Sequence, residues 1–362
     1  MREKDFRFTL DETAGALGDF GTLLPIVVGV SVATDMDLSR MLFFFGLAYI
    51  GTGLYYKLPM PVEPMKAMGV VAIAERLSPG EIAGAGIVMG VVLLLIAVTG
   101  AMDLIKKNIP IPLIRGIQLG LALTLMRQAL IMVGEDWILG LISIFIVLFY
   151  TLSKKLDISA LVIIVLGVAV GVFRHGSPGI SIMTLPSFQW PLWGETLVGI
   201  TKATIPQIPL TLGNAVLATA LLISDLLDRK VEEKKLLLSM SSMLLLAVPF
   251  GGFPMCHGAG GLAAQYRFGA RTGGSNLISG AVLLLVAFFF ATPKLELIIP
   301  FGALGALLFY SALSLYKTSR KTTENWFTIV TGVIAFVFGM TWAFLGMWGF
   351  HFVRTWIQKK RV

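Results

Sequence analysis

Long apolar stretches separated by short polar breaks run along most of the chain. Residues 82–102 carry no charge, and 21 helical residues are enough to cross a hydrocarbon core of ~30 Å. About fourteen such segments are predicted, at residues 12–33, 38–56, 59–77, 81–104, 110–133, 136–153, 157–174, 199–225, 235–251, 253–270, 274–292, 295–316, 326–341 and 343–357. The pattern therefore predicts an all-α polytopic membrane protein.

Short motifs recur at one spacing in the two halves of the chain. Pro59-Met60 and Pro254-Met255 lie 195 positions apart, and so do Leu17-Gly18-Asp19 and Leu212-Gly213-Asn214. A shared offset in an apolar chain indicates an internal duplication, which is typical of transporters with substrate bound between the repeats.

The number of segments in each half decides how the two repeats are related. Seven is odd, so the second repeat begins on the opposite side of the membrane and is inverted relative to the first. We predict a 7+7 inverted repeat of residues 1–176 and 199–362, joined by an extracytoplasmic connector at 177–198.

Composition and charge support the membrane prediction. Mean hydropathy is +0.84, and only 14% of residues are charged, against about 25% in a typical soluble domain. The predicted segments place 21 of the 29 Lys and Arg residues on one side and five on the other. The positive-inside rule then predicts a multi-pass protein of the cytoplasmic membrane with both termini in the cytoplasm. Topology explains the net charge of +8 without a nucleic-acid partner.

Prolines and glycines interrupt segments 3 and 10. Pro59, Pro61 and Pro64 cannot lie inside a helix, so residues 58–64 should be extended, with a half-helix beginning beyond them. Residues 251–261, which contain Pro254 and several glycines, should form a matching break.

Two half-helices that begin inside the membrane would form an anion site. Each helix N-terminus carries free N–H donors and a charge of about +0.5, so two opposed ends can hold an anion with little side-chain charge. The predicted ligands at these ends are Lys66, Ala67, His257, Gly258, Ala259 and Gly260.

Further polar residues are predicted on segments 8 and 1. Gln207, Thr211 and Asn214 follow i, i+4, i+7 spacing, so they share a helix face and are predicted to contact substrate. Asp19 and Glu63 are intramembrane carboxylates and hence candidates for proton coupling.

Two of the candidates allow alternative interpretations. Lys66 could bind the anion directly or serve as a structural ion-pair partner of Glu63, and His257 could shuttle protons or be a structural histidine. The three histidines and single cysteine, Cys256, lack metal-ligand spacing, so no metal and no cofactor is predicted.

Four stretches of sequence resemble the molybdate transporter family, which is related to sulfate permeases and shares their fold with nucleobase permeases. They are residues 15–25, 59–67, 205–214 and 254–271. The resemblance implies a core domain of segments 1–4 and 8–11 and a gate domain of segments 5–7 and 12–14. It also implies substrate between the breaks in segments 3 and 10, with segments 1 and 8 alongside.

The resemblance further implies transport by movement of the core against the gate, a possible homodimer, and no STAS domain after the last segment. Glu63 departs from the family pattern, which usually has Gln there. A carboxylate beside an anion site would repel its ligand if ionised, so Glu63 leaves proton coupling and substrate choice open at this position.

The sequence thus predicts a secondary transporter of a tetrahedral oxyanion. Molybdate is the leading substrate, and sulfate and tungstate are the alternatives. Nucleobase permeases of this fold hold the base with acidic residues on segments 8 and 10. In this chain, segment 8 has no carboxylate before Asp225 at its end, and segment 10 has none. An intramembrane enzyme using His257 and Asp19, and a channel, are the more distant alternatives. We predict no catalytic residues and no enzymatic activity.

Overall fold

The computed structural model describes residues 6–102, 104, 108–153, 158–176, 179–183, 186–290 and 299–360. Its helices are α1 (Leu10–Gly18), α2 (Phe20–Ala33), α3 (Leu38–Tyr56), α4 (Lys66–Glu75), α5 (Pro79–Thr99), α6 (Ile111–Glu135), α7 (Trp137–Leu152), α8 (Ser159–His175), α9 (Trp193–Leu227), α10 (Glu233–Ala247), α11 (Ala259–Arg267), α12 (Gly274–Phe289), α13 (Phe301–Ser319), α14 (Asn325–Phe338) and α15 (Met340–Lys360). Each predicted segment overlaps at least one of these helices. The predicted segment ends at 157, 292 and 295 lie outside the described residues.

Several helices are suited to a lipid environment. Within the described ranges, five helical stretches are long and apolar enough to cross a membrane: Leu10–Ala33, Leu38–Tyr56, Pro79–Thr99, Ile111–Glu135 and Trp193–Leu227. Large apolar side chains on the outer helix faces, such as Leu95, Phe145 and Phe173, are more than half exposed. Exposed apolar surface of this extent is stable in lipid and costly in water, so the chain is a multi-pass membrane protein.

The extended breaks predicted in segments 3 and 10 are present and pair with each other. Strand β1 (Glu63–Pro64) runs antiparallel to β2 (Met255–Cys256), with Glu63 opposite Cys256 and Pro64 opposite Met255. The Met65 N–H donates to the Pro254 carbonyl at 2.9 Å. Each strand leads into a half-helix, β1 into α4 and β2 into α11, so pairing the strands places both helix N-termini near one another.

Segment 1 differs from its prediction as one helix over 12–33. The structure has two helices that meet at Asp19, whose backbone remains in the right-handed helical region. The Thr22 and Leu23 amides both donate to the Asp19 carbonyl. The interruption places the Asp19 side chain in the protein interior, where it is fully buried.

Helix α9 continues through two turns of π-helix, at Ile200–Thr204 and Thr211–Ala218. Pro206 and Pro209 lie in the α-helical turns between them and have no N–H to donate, so the regular hydrogen-bond ladder cannot persist. The Gln207 amide nitrogen donates to Thr211 Oγ1 at 2.9 Å, as expected for side chains four residues apart. The wider second π turn contains Asn214.

Close helix packing surrounds this region. α6 packs along α13 and α14, α3 along α12, and α5 along α10. Gly305 on α13 shows how tight the packing is, because a Cβ added there would lie 2.8 Å from the Ala129 carbonyl of α6. Backbone contact of this kind is how helices associate in lipid, where the hydrophobic effect does not drive them together.

Candidate functional site

A cavity of about 170 Å³ lies where β1, β2 and the two half-helices come together. Residues of α2, α4, α9 and α11 form one side of it, and residues of α6 and α13 form the other. The lining residues are Thr22, Ile26, Glu63, Lys66, Gln118, Gln207, Leu210, Asn214, Ala215, Cys256, Gly260, Ala264, Tyr310, Ser311, Ser314, Leu315 and Thr318. The cavity therefore contains Lys66, Gln207, Asn214 and Gly260 of the predicted ligands.

The N-terminus of α4 is capped by a side chain from a distant helix. Gln207 Oε1 accepts from the Ala67 N–H at 2.8 Å and from the Met68 N–H at 3.3 Å. Its amide nitrogen is used by Thr211, which is fully buried. Gln207 thus satisfies two of the amides that a helix start leaves without partners, and those amides are no longer free for an anion.

The N-terminus of α11 differs from that of α4. No side chain caps Gly258, and we find no hydrogen bond to the first amides of α11 among the described residues. Gly260 lines the cavity, and a Cβ built on it would lie 3.9 Å from Lys66 Nζ. Free amides with a cation beside them are a suitable environment for an oxyanion.

Glu63 and Lys66 form an ion pair at the edge of the cavity. Lys66 Nζ lies 2.7 Å from Glu63 Oε2, and the Glu63 side chain is fully buried while that of Lys66 keeps 23% exposure. The glycines of α11 make room for the carboxylate, because a Cβ at Gly258 or Gly261 would collide with it. The ion pair leaves the ammonium group accessible from the cavity.

A second buried carboxylate, Asp19, lies next to the first. The Thr22 hydroxyl is 2.8 Å from Asp19 Oδ1 and 3.3 Å from Glu63 Oε1, and the Tyr49 hydroxyl donates to Asp19 Oδ2. One hydroxyl proton of Thr22 cannot satisfy both carboxylates at once. A proton held by either carboxylate would complete this group of hydrogen bonds.

His257 lies outside the cavity lining, and its ring is held by the surrounding backbone and side chains. Nδ1 lies 2.9 Å from the Pro61 carbonyl, and Nε2 lies 2.7 Å from the Ser239 hydroxyl. Ser239 in turn bonds the Tyr56 hydroxyl at 2.7 Å. This geometry favours the structural interpretation of His257. Ala67, Gly258, Ala259 and Thr211 also lie outside the lining. Ala67, Ala259 and Thr211 each adjoin a lining residue in sequence, and Gly258 packs against the Glu63 carboxylate.

The opposite side of the cavity adds polar residues that the sequence analysis did not single out. Gln118 on α6 and four hydroxyl side chains on α13 complete the lining: Tyr310, Ser311, Ser314 and Thr318. Ser311, Ser314 and Thr318 follow i, i+3, i+7 spacing within an apolar helix, a signal that could have identified them.

The site as a whole is suited to binding an anion. Lys66 supplies a positive charge, α11 supplies free amides, and the remaining polar lining consists largely of amide and hydroxyl groups. The described residues contain no cluster of His, Cys, Asp and Glu that could hold a metal ion. Hydrogen-bond donors around one cation favour recognition of an oxyanion.

Comparison with known proteins identifies the family. A sequence model described as a molybdate transporter of the MFS superfamily matches residues 11–125 and 199–315. The chain belongs to this molybdate transporter family. The two matched regions contain all the predicted site residues and lie in both halves of the chain.

Three relatives align with this chain over most of its length. Molybdate transporter 2 of Arabidopsis thaliana is 33% identical over 87% of this chain and 80% of its own length. Molybdate transporter 1 of the same plant is also 33% identical, and molybdate transporter 1 of Chlamydomonas reinhardtii is 26% identical over 89% of this chain and 86% of its own length.

Solved structures show the same fold at low sequence identity. The transmembrane domain of the cyanobacterial bicarbonate transporter BicA superposes with a TM-score of 0.70 at 17% identity, over 93% of this chain and 96% of that one. Murine solute carrier 26 family member A9, an anion transporter in its inward-facing state, gives 0.70 at 14% identity over 99% of this chain and 70% of that one. This molybdate transporter family member therefore has the fold of solute carrier 26 anion transporters.

Proposed function

We propose that this protein transports molybdate, or a closely related tetrahedral oxyanion, across the cytoplasmic membrane as a secondary transporter. The observation that carries the proposal is the cavity between α11 and Lys66 on one side and α6 and α13 on the other. Relatives at 33% identity are named molybdate transporters, which supports molybdate over other oxyanions.

In this proposal the oxyanion lies beside Lys66 and Gly260, with its oxygens facing the free amides of α11. Asn214 supplies a carboxamide that makes no side-chain hydrogen bond within the described part of the chain. The amides of α4 contribute less directly, since Gln207 already occupies them. Gln207 and Thr211 instead fix the wall of the site.

The two sides of the cavity correspond to the proposed domains. The first comprises α1–α5 and α9–α12, which form the core, and the second comprises α6–α8 and α13–α15, which form the gate. Transport proceeds by movement of the core against the gate, so that the cavity opens to each side in turn. The 7+7 inverted repeat, cytoplasmic termini and a homodimer complete the proposal, and protease accessibility of tagged termini and native mass spectrometry test the last two.

Asp19 and Glu63 are proposed to couple transport to protons. Two carboxylates and one ammonium group give the empty site a net negative charge when all three are ionised. Such a site repels a divalent anion, whereas one bound proton restores neutrality. The shared Thr22 hydroxyl gives that proton a place between Asp19 and Glu63.

The decisive experiment is uptake by proteoliposomes that contain the purified protein. We expect saturable uptake of labelled molybdate, with unlabelled tungstate and sulfate as competitors and liposomes without protein as the blank. If unlabelled sulfate competes as strongly as unlabelled molybdate does, the binding site does not distinguish the two anions. Absence of uptake for all three oxyanions, from a correctly folded preparation, would refute the proposed function.

A further inference from the structure

Gln118 lies where two cavities meet. Its side chain is 3% exposed and lines the central cavity on the α6 side. A neighbouring cavity of about 460 Å³ between α6 and α9 shares two lining residues with the central one, Gln118 and Asn214. One carboxamide of α6 and one of α9 therefore border both cavities.

Arg115 determines which way the Gln118 amide points. Its Nη1 donates to Gln118 Oε1 at 3.0 Å, and its Nε donates to the Lys321 carbonyl at 3.0 Å. A guanidinium group has only donors, so reversing the amide would place N–H groups against N–H groups. The Gln118 oxygen must face Arg115, and its NH₂ group must face away.

Because Arg115 engages the oxygen of Gln118, the NH₂ group is the part of the side chain left to donate into the cavity that this residue lines. A donor that faces a polar cavity normally meets water or a ligand there. Lys66 and Gly260, at the start of α11, line the same cavity, so an anion bound beside them can accept a hydrogen bond from the Gln118 NH₂ group.

We propose that Gln118 is a ligand of the transported oxyanion, donated by α6, and that Arg115 is the positioning residue that orients its NH₂ group. The proposal rests on the proposed function and adds a contact from the gate side. An oxyanion held by Lys66 and α11 on the core side and by Gln118 on the gate side connects the two domains. Its binding would stabilise the arrangement in which they approach each other.

Substitution of Gln118 tests the ligand role. Gln118→Met keeps the length of the side chain and removes the donor, and Gln118→Glu keeps the shape and replaces the NH₂ group by an oxygen. We expect molybdate affinity, measured by calorimetry on the purified protein, to fall about ten- to a hundredfold in Gln118→Met, as for loss of a hydrogen bond to a charged group. Gln118→Glu should fall further while keeping its thermal stability, because Arg115 pairs with the new carboxylate.

Substitution of Arg115 tests the positioning role. Arg115→Lys keeps the positive charge but loses the planar group that binds both Gln118 and the Lys321 carbonyl. If Arg115 acts only as a charge, Arg115→Lys binds molybdate like the wild type. We expect weaker binding instead, and no further loss when Arg115→Lys is added to Gln118→Met, because the two residues act through one contact.

A matched control is Arg174→Lys, which alters an arginine paired with Asp136 and absent from both cavity linings. It should bind molybdate like the wild type. Wild-type affinity in both Gln118→Met and Gln118→Glu would overturn the inference, and if Gln118→Met does not fold, Gln118→Glu alone decides. A wild-type protein that binds none of molybdate, tungstate and sulfate would refute the proposed function itself, which is a separate result.

Discussion

Gln207 and Asn214 both line the cavity from α9, but their carboxamides have different tasks. Gln207 is bonded at both ends, to the α4 amides and to Thr211. The Asn214 side chain makes no hydrogen bond to another described residue and is only half-buried. One residue therefore holds the fold, and the other is free to meet a ligand.

Alanine substitution should separate these tasks. Gln207→Ala leaves buried amides of α4 without an acceptor, and we expect a loss of stability of about 1–3 kcal/mol, seen as a lower thermal midpoint. Asn214→Ala should keep the wild-type midpoint and lose about 1.5–3 kcal/mol of molybdate binding. Equal effects of the two substitutions on the thermal midpoint would contradict this division of roles.

The proposed coupling of transport to protons can be tested at a single residue, Glu63. For a proton carried with the anion, an acidic exterior should accelerate molybdate uptake into vesicles of neutral interior. Glu63→Gln keeps a partner for Lys66 and Thr22 but cannot bind or release a proton, so its uptake should no longer respond to the gradient. Wild-type uptake that does not change with the gradient would exclude proton coupling and, with it, a coupling role for Glu63.

The control for that measurement is Glu75→Gln. Glu75 forms an ion pair with Lys202, and both side chains are 44% exposed. The pair lies outside the cavity lining. Its uptake should respond to the gradient as the wild type does.

At the level of secondary structure, α11 depends on glycine at its start for two reasons. A Cβ at Gly258 would overlap the Glu63 carboxylate, whereas a Cβ at Gly260 would make only ordinary contacts at 3.9 Å. Gly258 thus provides space for the carboxylate, and Gly260 keeps the cavity open beside the helix N-terminus.

We therefore expect different results from alanine at the two positions. Gly258→Ala should lower the thermal midpoint, because the buried Glu63–Lys66 ion pair must move. Gly260→Ala should fold with near wild-type stability but bind molybdate more weakly, since its methyl group occupies space beside the free amides. Unchanged molybdate affinity in Gly260→Ala would place the anion away from the start of α11.

For the whole molecule, the proposed mechanism requires relative movement of core and gate. Gly21 on α2 and Ala160 on α8 face each other across that interface, with a Cβ built on Gly21 lying 3.1 Å from Ala160 Cβ. This Cβ–Cβ separation is shorter than the ~3.8 Å mean of disulfides, so a small shift between the two helices allows the bond to form. Cysteines can be introduced at both positions in a Cys256→Ala background that retains uptake. Oxidation to the disulfide should stop transport, and reduction of the disulfide should restore transport.

The fold offers a control pair within the gate. A Cβ built on Gly167 of α8 would lie 3.0 Å from Ala303 Cβ on α13, and both helices belong to the proposed gate domain. Cysteines at Gly167 and Ala303 should form a disulfide without stopping uptake. Full transport with a disulfide between the cysteines that replace Gly21 and Ala160 would contradict movement of the core against the gate.

The sequence alone determined the features that depend on local chain chemistry. Apolar stretches long enough for a membrane predict helices. The clustered Pro59, Pro61 and Pro64, and Pro254 among its glycines, disfavour a continuous helix, so the two extended breaks could be located. The same local stretches carry the resemblance to the molybdate transporter family. That resemblance predicted a transporter, and the match to the family model supports the prediction. Lys66, Gln207, Asn214 and Gly260, which the sequence predicts as ligands, line one cavity.

Tertiary structure decided what each side chain does there. Gln207 caps α4 across 140 positions of sequence, and His257 is held by Pro61 across 196, so neither role is visible in local spacing. Gln118 and the hydroxyl groups of α13 join the cavity only because helix packing brings them opposite Lys66. Periodicity fixes which residues share a face of one helix, but the partner of that face depends on contacts between distant segments, and these form only in the folded chain.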